Sequence, residues 1–179
     1  LEYDSQPMNI ETIQVVPFAR GIVADYLNTG IDVQYDLEFF DTPAVQECAI
    51  QGDERLLRRA VRNLIDNAMR HNGEGCKIAL SLDVEPSSML ALTVADNGRG
   101  CDTSRIGALM AQASTPDASY DAHGLGLTLV SRISIMHGGY VSFASEPGRG
   151  FTATMRIPTA MPQSEPPRRE KRESQANVR

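Results

Sequence analysis

The sequence predicts an α+β fold of two layers, in which a mixed, mostly antiparallel sheet carries its helices on one face. Several short segments alternate apolar and polar residues, which is typical of half-buried strands. Three longer segments begin and end with residues typical of helix boundaries. The later strands follow one another across short turns, and such connections favour antiparallel neighbours. With 179 residues, the chain is long enough for one domain with a substantial core.

Four elements precede the strongest helix. They are predicted as a short strand at 10–16, a helix at 17–30, a strand at 31–39 and another short strand at 45–50. Pro17 stands at the start of the first helix and Gly30 just past its end, where these residue types are favoured.

The strongest helix is predicted over residues 53–72. Asp53 occupies the capping position, where a carboxylate accepts a hydrogen bond from a free backbone N–H. Four apolar residues fall on one stripe of this helix: Leu57, Val61, Leu64 and Ala68.

The second half of the chain holds two strand pairs, a long loop and a helix. The strands are predicted at 77–84 and 89–96, joined by a turn at 85–88, and at 140–145 and 151–157, joined by a turn at 146–150. Residues 124–137 are predicted to be a helix that Gly138 and Gly139 end. Residues 98–122 are weakly patterned apart from one short helix near 106–113, and a loop of this length is usually a lid or a binding loop.

One folded domain is predicted over residues 9–158. Residues 1–8 are expected to be the remnant of an upstream segment. Residues 159–179 are rich in Pro, Arg, Glu and Ser without apolar periodicity, which predicts a disordered basic tail. Five Lys or Arg and three Asp or Glu give that tail a charge of +2, so the total of −6 leaves the body near −8.

Composition argues against several classes of function. An acidic chain without Trp is a poor nucleic-acid binder, and no apolar run is long enough to span a membrane. Three scattered cysteines and three scattered histidines offer neither a disulfide framework nor a zinc set. Reduced thiols in a cytoplasm are expected, with no contact to nucleic acid or membrane.

The strongest helix carries a polar edge. Asn63 and Asn67 are four residues apart and point the same way, His71 continues the line, and Arg70 is one turn on from Asn67. Asparagine is a poor residue for a helix interior, so two at this spacing require a reason. One interpretation is that they simply face solvent. The other is the rim of a cavity, where an amide oxygen ligates a hard cation such as Mg²⁺ and arginine meets phosphate.

Residues 96–100, with the sequence DNGRG, end an apolar strand. Asp-Asn-Gly between apolar runs is a strong hairpin signal, and taken alone it favours a hairpin. As a ligand site, the ionised carboxylate of Asp96 accepts hydrogen bonds but donates none, so it could read an exocyclic amine such as that of adenine. Gly98 and Gly100 permit positive φ and let a ligand approach the backbone.

Glycines open the last helix in the sequence HGLGL, residues 123–127. Free N–H groups at a helix start and the helix dipole together form an anion site suited to phosphates. The alternative is an ordinary glycine-rich helix entry. The chain contains neither a Walker loop nor a dinucleotide-binding glycine fingerprint. His137, in the last turn of this helix, is expected to cap it as a cation.

In this order, the segments resemble the catalytic, ATP-binding domain of bacterial sensor histidine kinases, in the superfamily shared with gyrase, mismatch-repair and heat-shock chaperone ATPases. RNLIDNAMRHN resembles the N box of the family, VADNGRG its first glycine box, HGLGLTLVSRISIMHGG its second, and SFASEPGRGFTATMRIP its closing hairpin. The resemblance covers residues 8–158. It implies the two-layer Bergerat fold of these GHKL ATPases, with a mobile ATP lid.

The resemblance implies a role for each matching residue. Asn67 matches the asparagine that holds Mg²⁺ between the phosphates. Asn63 stands where gyrase-like relatives carry a water-activating Glu, and an amide there fits phosphotransfer better than hydrolysis. Arg70 stands where the kinases usually have a phosphate-contacting Lys, and His71 where they usually have a Tyr near the base. Asp96 matches the adenine-reading acid, so the family predicts a strand end here rather than a hairpin.

The other nucleotide-binding positions that the resemblance implies lie in the glycine boxes and the closing hairpin: Gly98, Gly100, His123, Gly124, Leu125, Gly126, Leu127 and Thr152. The sequence departs from the family at Ala122, which replaces the usual first glycine of the second box, and at His123, which replaces a common Ser or Thr. A Phe-rich box is missing, and the expected apolar anchor of the lid is Ile106, Leu109 and Met110.

The implied activity is transfer of the γ-phosphoryl group of ATP to a histidine on a separate helical dimerisation domain, with Mg²⁺ as cofactor and Asn63, Asn67 and Arg70 as catalytic residues. No histidine of this chain matches the acceptor, so the fragment is expected to be nearly inert alone and monomeric. Its parent is expected to be a dimeric inner-membrane sensor that passes phosphate to a response regulator. Two alternatives remain open: a degenerate nucleotide-sensing docking module, suggested by Ala122 and His123, and an anti-sigma-factor-type serine kinase of the same fold.

Overall fold

The computed structural model describes residues 7–30, 34–102, 104–108 and 125–160. The elements follow in the order β1 (Glu11–Gln14), α1 (Val15–Leu27), β2 (Asp36–Asp41), β3 (Ala49–Gly52), α2 (Glu54–His71), β4 (Lys77–Glu85), β5 (Met89–Asp96), α3 (Leu125–Met136), β6 (Tyr140–Ser145) and β7 (Phe151–Pro158). A 3₁₀ turn at Pro43–Val45 lies between β2 and β3, and residues 104–108 are helical.

The strands of the described residues form two sheets. The larger has the order β2-β4-β5-β7-β6, in which β2 and β4 are parallel and all other neighbours are antiparallel. β1 and β3 pair antiparallel in a small second sheet, and Thr159, just past β7, bridges to Ile50 of β3. The mixed, mostly antiparallel sheet predicted from the sequence is confirmed.

One core lies between the larger sheet and the helices. Alternate residues of β4, β5 and β7 are buried, and the residues between them are mostly small or polar and less buried. Large side chains that are fully buried come from both layers: Ile22 of α1, Ile65 of α2, Ile133 of α3, Leu80 of β4 and Met155 of β7. Each such side chain stabilises the fold by about 1.5–3 kcal/mol relative to exposure.

Helix α2 positions the site, and its limits agree with the sequence. Asp53 caps it, because its Oδ1 accepts the N–H of Leu56 at 3.1 Å. The buried stripe of α2 contains the four predicted residues and two more: Leu57, Ala60, Val61, Leu64, Ile65 and Ala68. The stripe packs against the sheet and leaves the flanking polar residues at its edge.

Some element limits differ from those expected. Helix α1 begins at Val15, so the predicted strand at 10–16 ends early and Pro17 lies inside the first helical turn, where its missing N–H is tolerated. The strand expected at 45–50 lies at Ala49–Gly52. The strand expected at 31–39 runs over Asp36–Asp41, with residues 31–33 outside the described part.

Several expectations fall on residues that the structure does not describe. They concern residues 1–6, most of the loop at 98–122, and the tail from 161 onward. The described fold continues two residues past the expected boundary at 158, since the N–H of Ala160 donates to the carbonyl of Ala49 at 2.7 Å. Among the described helices, none combines the length and the apolar character that crossing a membrane requires.

Candidate functional site

An open cleft lies between the end of α2, the end of β5 and the start of α3. It is lined by Asn67, His71, Asn72, Asp96, Arg99, Gly100, Cys101, Arg105, Leu127 and Phe151. Half of these residues are sequence-predicted site residues: Asn67, His71, Asp96, Gly100 and Leu127. The three constellations singled out in the sequence therefore meet at one place.

The polar edge of α2 faces this cleft and the start of α3. Asn67 and His71 line the cleft and are half-buried, because they border the buried stripe of the helix. Asn63 does not line it. Its Nδ2 donates to the carbonyl of Arg59 at 2.8 Å, and its Oδ1 lies 3.2 Å from the position that a Cβ on Gly126 would occupy. The polar edge of α2 therefore faces the cleft and the start of α3 as well as solvent.

Arg70 is exposed and lies outside the lining of the cleft. On the surface of α2, Arg70 and His71 lie one turn beyond Asn67, on opposite sides of a line drawn through Asn67 parallel to the helix axis. The cleft lies on the side of His71. Two other arginines, Arg99 and Arg105, line the cleft. Positive charge is thus present at the cleft wall, but it comes from residues that the sequence did not single out.

The carboxylate of Asp96 is held by backbone groups. Its Oδ1 accepts the N–H of Gly98 at 2.9 Å and the N–H of Phe151 at 3.3 Å. Within the described residues, Oδ2 accepts no hydrogen bond, so it can receive a donor from a ligand in the cleft. Asp96 is the last residue of β5 and still pairs with Ile78 of β4, so DNGRG is a strand end followed by a loop and not a hairpin tip.

The two glycines after Asp96 are each required by close contact. A Cβ on Gly98 would lie 1.8 Å from Oδ1 of Asn72. Gly100 has a φ of +61°, and a Cβ there would lie 2.1 Å from the carbonyl oxygen of Glu146. Gly100 lines the cleft, whereas Gly98 lines an adjoining groove on the other side of Asn72.

The turn between β6 and β7 holds the same loop from the other side. The N–H of Cys101 donates to Oγ of Ser145 at 2.9 Å, and that hydroxyl donates to the carbonyl of Gly150 at 2.6 Å. Gly150 has a φ of +81°, and a Cβ on it would lie 1.8 Å from the carbonyl oxygen of Asp96. The closing hairpin therefore shapes the floor of the cleft.

Thr152 lies on the face of the sheet that points away from the helices. Along β7 the buried Ala153 faces the core, while Thr154 pairs on the outer face with Thr93, their hydroxyl oxygens being 3.0 Å apart. Thr152 shares that outer face. The residue of β7 that lines the cleft is Phe151, one position before the predicted one, and its ring centroid lies 5.7 Å from that of Phe143.

The second glycine box is described only from residue 125 onward. Leu127 is buried and lines the cleft, and Gly126 lies against Asn63. Leu125 begins α3. Ile106, expected in the lid anchor, packs against the core. Five other residues of these expectations lie outside the described part: Leu109, Met110, Ala122, His123 and Gly124.

Sequence reasoning assigned no role to five residues of the cleft wall: Asn72, Arg99, Cys101, Arg105 and Phe151. Arg99 and Cys101 lie in or next to the DNGRG stretch, and Phe151 follows the last glycine of the closing hairpin, so proximity to a motif could have found them. Asn72 ends the segment RNLIDNAMRHN and follows His71, so the same signal applies to it, whereas Arg105 carries no comparable signal. Beside the cleft, burial and then the negative charge of Asp96 raise the pKa of the Cys76 thiol, which keeps it neutral.

A second polar cluster joins the end of α3 to the start of α2. Nδ1 of His137 lies 2.7 Å from the carbonyl of Ile133, and its Nε2 accepts the N–H of Asp53 at 3.0 Å. These partners assign a neutral ring with its proton on Nδ1. His137 thus binds a carbonyl of the last turn, as a cap does, but as a neutral donor rather than the expected cation.

The cleft offers the amide oxygen of Asn67 as a ligand for a hard cation. Asn67 stands on its wall, and no group of three His, Cys, Asp or Glu side chains in the described ranges is arranged to hold a metal ion. A divalent cation here would take most of its ligands from water and from the phosphates of a nucleotide, which is how Mg²⁺ is commonly bound.

Comparison with known proteins agrees with this geometry. A family model described as histidine kinase-, DNA gyrase B-, and HSP90-like ATPase matches residues 52–161. The sensor protein BasS of Salmonella typhimurium is 36% identical over 115 residues, which are 64% of this chain and 32% of that protein. The sensor histidine kinase YvrG of Bacillus subtilis is 28% identical over 159 residues, 87% of this chain and 27% of that protein. The chain thus spans about a third or less of these relatives.

Solved structures share the fold. The catalytic domain of the histidine kinase ThkA superposes with a TM-score of 0.70 at 18% identity, over 84% of this chain and 98% of that one. Full-length ShkA in complex with AMPPNP gives a TM-score of 0.72 at 21% identity, over 88% of this chain and 32% of that one. The arrangement of sheet and helices around the cleft is therefore one found in kinase catalytic domains.

Proposed function

This chain belongs to the histidine kinase-, DNA gyrase B-, and HSP90-like ATPase family, and on that premise we propose that it is the catalytic domain of a sensor histidine kinase. It binds Mg–ATP in the cleft and transfers the γ-phosphoryl group to a histidine on a separate helical domain. The observation that carries this proposal is the carboxylate of Asp96, fixed by two backbone N–H groups and facing Asn67 and His71 across one cleft.

Asp96 is proposed to select adenine. Its Oδ1 is occupied by the N–H groups of Gly98 and Phe151, so Oδ2 is the atom left for the base. An ionised carboxylate only accepts hydrogen bonds, and adenine offers an exocyclic amine as the donor. Guanine carries a carbonyl oxygen at the equivalent position, and two acceptors would then face each other. ATP is therefore expected to bind and GTP to be rejected.

The phosphates are proposed to lie toward Asn67 and the start of α3. The amide oxygen of Asn67 is a suitable ligand for Mg²⁺, and the N–H groups at a helix start attract phosphate. Arg99 and Arg105 add positive charge along the cleft. Arg70 is proposed to contact phosphate as well, and because it lies outside the lining, the phosphate chain would have to extend beyond the cleft to reach it.

The proposed chemistry is mostly positioning and charge neutralisation. A ring nitrogen of the acceptor histidine attacks the γ-phosphorus, the bond to the bridging oxygen breaks, and ADP leaves with that oxygen, its charge offset by arginine. A Mg²⁺ ion held by Asn67 would supply further charge neutralisation. Asn63 has no useful basicity, and its amide donates to the carbonyl of Arg59. Water is therefore not activated there, and slow ATP turnover is expected without an acceptor.

Calorimetric titration tests the nucleotide site. Mg–ATP is expected to bind to the wild-type chain, with GTP as the negative control. Asp96→Asn keeps an oxygen for the two backbone N–H groups but turns an NH₂ group toward the adenine amine, so affinity should fall about 10- to 100-fold. Asp25→Asn, at an exposed carboxylate of α1 paired with Arg58, is the matched control and should bind as the wild type does.

Incubation with γ-labelled ATP and a histidine-bearing helical hairpin domain tests the transfer. Acid-labile label on the acceptor histidine is the expected product. Label on serine would instead identify a serine kinase. Tight nucleotide binding with no transfer to any acceptor would leave a nucleotide-sensing docking module, and the kinase assignment would be withdrawn. The response regulator and the membrane location of a parent protein are part of the same proposal.

A further inference from the structure

The side chain of Asn72 joins the two walls of the cleft. Its Nδ2 donates to the carbonyl of Ala68 in the last turn of α2, at 2.8 Å. Its Oδ1 accepts the N–H of Arg99 in the loop after β5, at 3.2 Å. One amide group thus connects the helix that carries Asn67 with the loop that follows Asp96.

The backbone of that loop lies directly on the Asn72 amide. A Cβ placed on Gly98 would approach Oδ1, Cγ and Nδ2 of Asn72 to 1.8, 2.1 and 2.6 Å. Atoms cannot come so close, so only a glycine lets the loop rest there. The loop is also tied to Asp96, because the N–H of Gly98 donates to the carboxylate. A displacement of Asn72 would therefore be transmitted to Asp96.

We propose that Asn72 is a positioning residue for the nucleotide, which sets the spacing between the phosphate-binding edge of α2 and the base-reading carboxylate of Asp96. The proposal rests on the proposed function. It assigns Asn72 no contact with the reacting atoms. Its effect is that one ATP molecule can satisfy both ends of the cleft at once.

An asparagine suits this position because it must donate and accept at the same time. Aspartate has the same shape but would turn an oxygen toward the carbonyl of Ala68, so one of the two links is replaced by repulsion. Alanine removes both links and leaves space beneath Gly98. Both variants are expected to leave each end of the cleft intact while loosening their relative position.

Titrations with whole and partial ligands test this inference. Asn72→Ala and Asn72→Asp are titrated with Mg–ATP, with adenosine and with Mg–tripolyphosphate. Linking two binding ends strengthens binding only when both are engaged together. The dissociation constant for ATP should therefore rise about tenfold, while those for adenosine and tripolyphosphate change less than about twofold.

Tyr35→Phe is the matched control. The hydroxyl of Tyr35 donates to the carbonyl of Met69 at 3.1 Å, so this variant also loses a hydrogen bond to the last turn of α2, but that bond does not involve the loop after β5. It should lower the unfolding midpoint as the Asn72 variants do and leave the affinity for ATP unchanged. An equal loss of ATP affinity in Tyr35→Phe would reduce Asn72 to a purely structural role.

A double substitution tests the contact itself. Gly98→Ala alone should weaken ATP binding, because its Cβ collides with Asn72, and the same change in an Asn72→Ala background should cost little more. Independent, additive losses would overturn the inference. So would Asn72 variants that bind ATP as the wild type does. Failure of the wild-type chain to bind ATP is a different result, which overturns the proposed function and this inference with it.

Discussion

Gly148 and Gly150 of the closing hairpin show two separate reasons for a glycine, a positive φ and a close contact with another part of the backbone. Both have positive φ, +78° and +81°. A Cβ on Gly150 would lie 1.8 Å from the carbonyl oxygen of Asp96, whereas one on Gly148 would meet nothing within 4 Å. Gly148→Ala should therefore cost about 1 kcal/mol of stability from backbone strain. Gly150→Ala should cost about 2–4 kcal/mol and also weaken ATP binding, because Asp96 must move.

Urea unfolding and ATP titration of the two glycine variants measure these effects. Equal losses of stability in both would mean that the close approach to Asp96 is not a constraint in solution. Unchanged ATP affinity in Gly150→Ala would show that the hairpin does not shape the base site.

Single residues were predictable from sequence where a motif gave them a chemical reason. Asp96, Asn67 and Gly100 line the cleft as expected. Asn72 and Phe151 were not found, because what they do depends on which backbone lies against them. Thr152 was predicted to line the cleft for the same reason that Phe151 was missed. The motif locates strand β7, but only its pairing with the neighbouring strands decides which of the two residues faces the cleft.

At the scale of elements, the start of α2 is stabilised by a buried carboxylate. Asp53 is 2% exposed and accepts the N–H groups of Asn9 and Leu56, both at 3.1 Å. Burial by itself raises the pKa of Asp53, but these hydrogen bonds and the charge of Arg55 outweigh it and hold the pKa below its usual range. The folded state therefore favours the ionised form.

This lowered pKa predicts how stability depends on pH. The stabilisation from Asp53 is complete above the pKa of the unfolded chain, about 4, and is lost as the pH falls through the lower value of the folded state. Asp53→Asn removes this dependence. Its amide oxygen can still accept the N–H of Leu56, but its NH₂ group cannot accept the N–H of Asn9, so stability at pH 7 should fall by about 1 kcal/mol. Urea unfolding from pH 7 to pH 2 should show the gap between the two proteins closing in acid. Parallel curves over that range would contradict the assignment, and Asp25→Asn, at an exposed ion pair, is the control.

Elements were predicted best where caps and periodicity agree. Helix α2 has both, and its predicted limits are confirmed. Residues 10–16 mix apolar and polar residues in a short segment whose last part fits a strand or the first turn of a helix equally well. In the structure Val15 and Val16 are buried in the first turn of α1, so packing against the core, and not local pattern, decides that boundary.

At the scale of the whole molecule, the pairing of strands that are distant in sequence brings the site residues together. Antiparallel pairing of β5 with β7 sets Ala95 opposite Thr152, and this brings Asp96 next to Phe151, 55 residues later in the chain. No local pattern specifies that register. The family resemblance does imply that the separate segments form one site, and in the structure each of the four contributes at least one residue to the cleft.

Because the site joins distant parts of the chain, nucleotide binding should stabilise the whole fold. A ligand at 100 times its dissociation constant adds about 2.7 kcal/mol, which for a domain of this size is a rise in Tm of about 5–10 °C. Thermal unfolding with and without Mg–ATP separates binding from folding. The Tm of the wild-type chain should rise when Mg–ATP is added. Asp96→Asn should keep its basal Tm, since its amide oxygen still receives both backbone N–H groups. At the same ATP concentration its roughly 10- to 100-fold weaker binding leaves about 0.4–1.4 kcal/mol of stabilisation, so its Tm should rise by about half as much as that of the wild type or less. Asp53→Asn should start from a lower Tm and shift as far as the wild type. An undiminished shift in Asp96→Asn would place the nucleotide away from the end of β5.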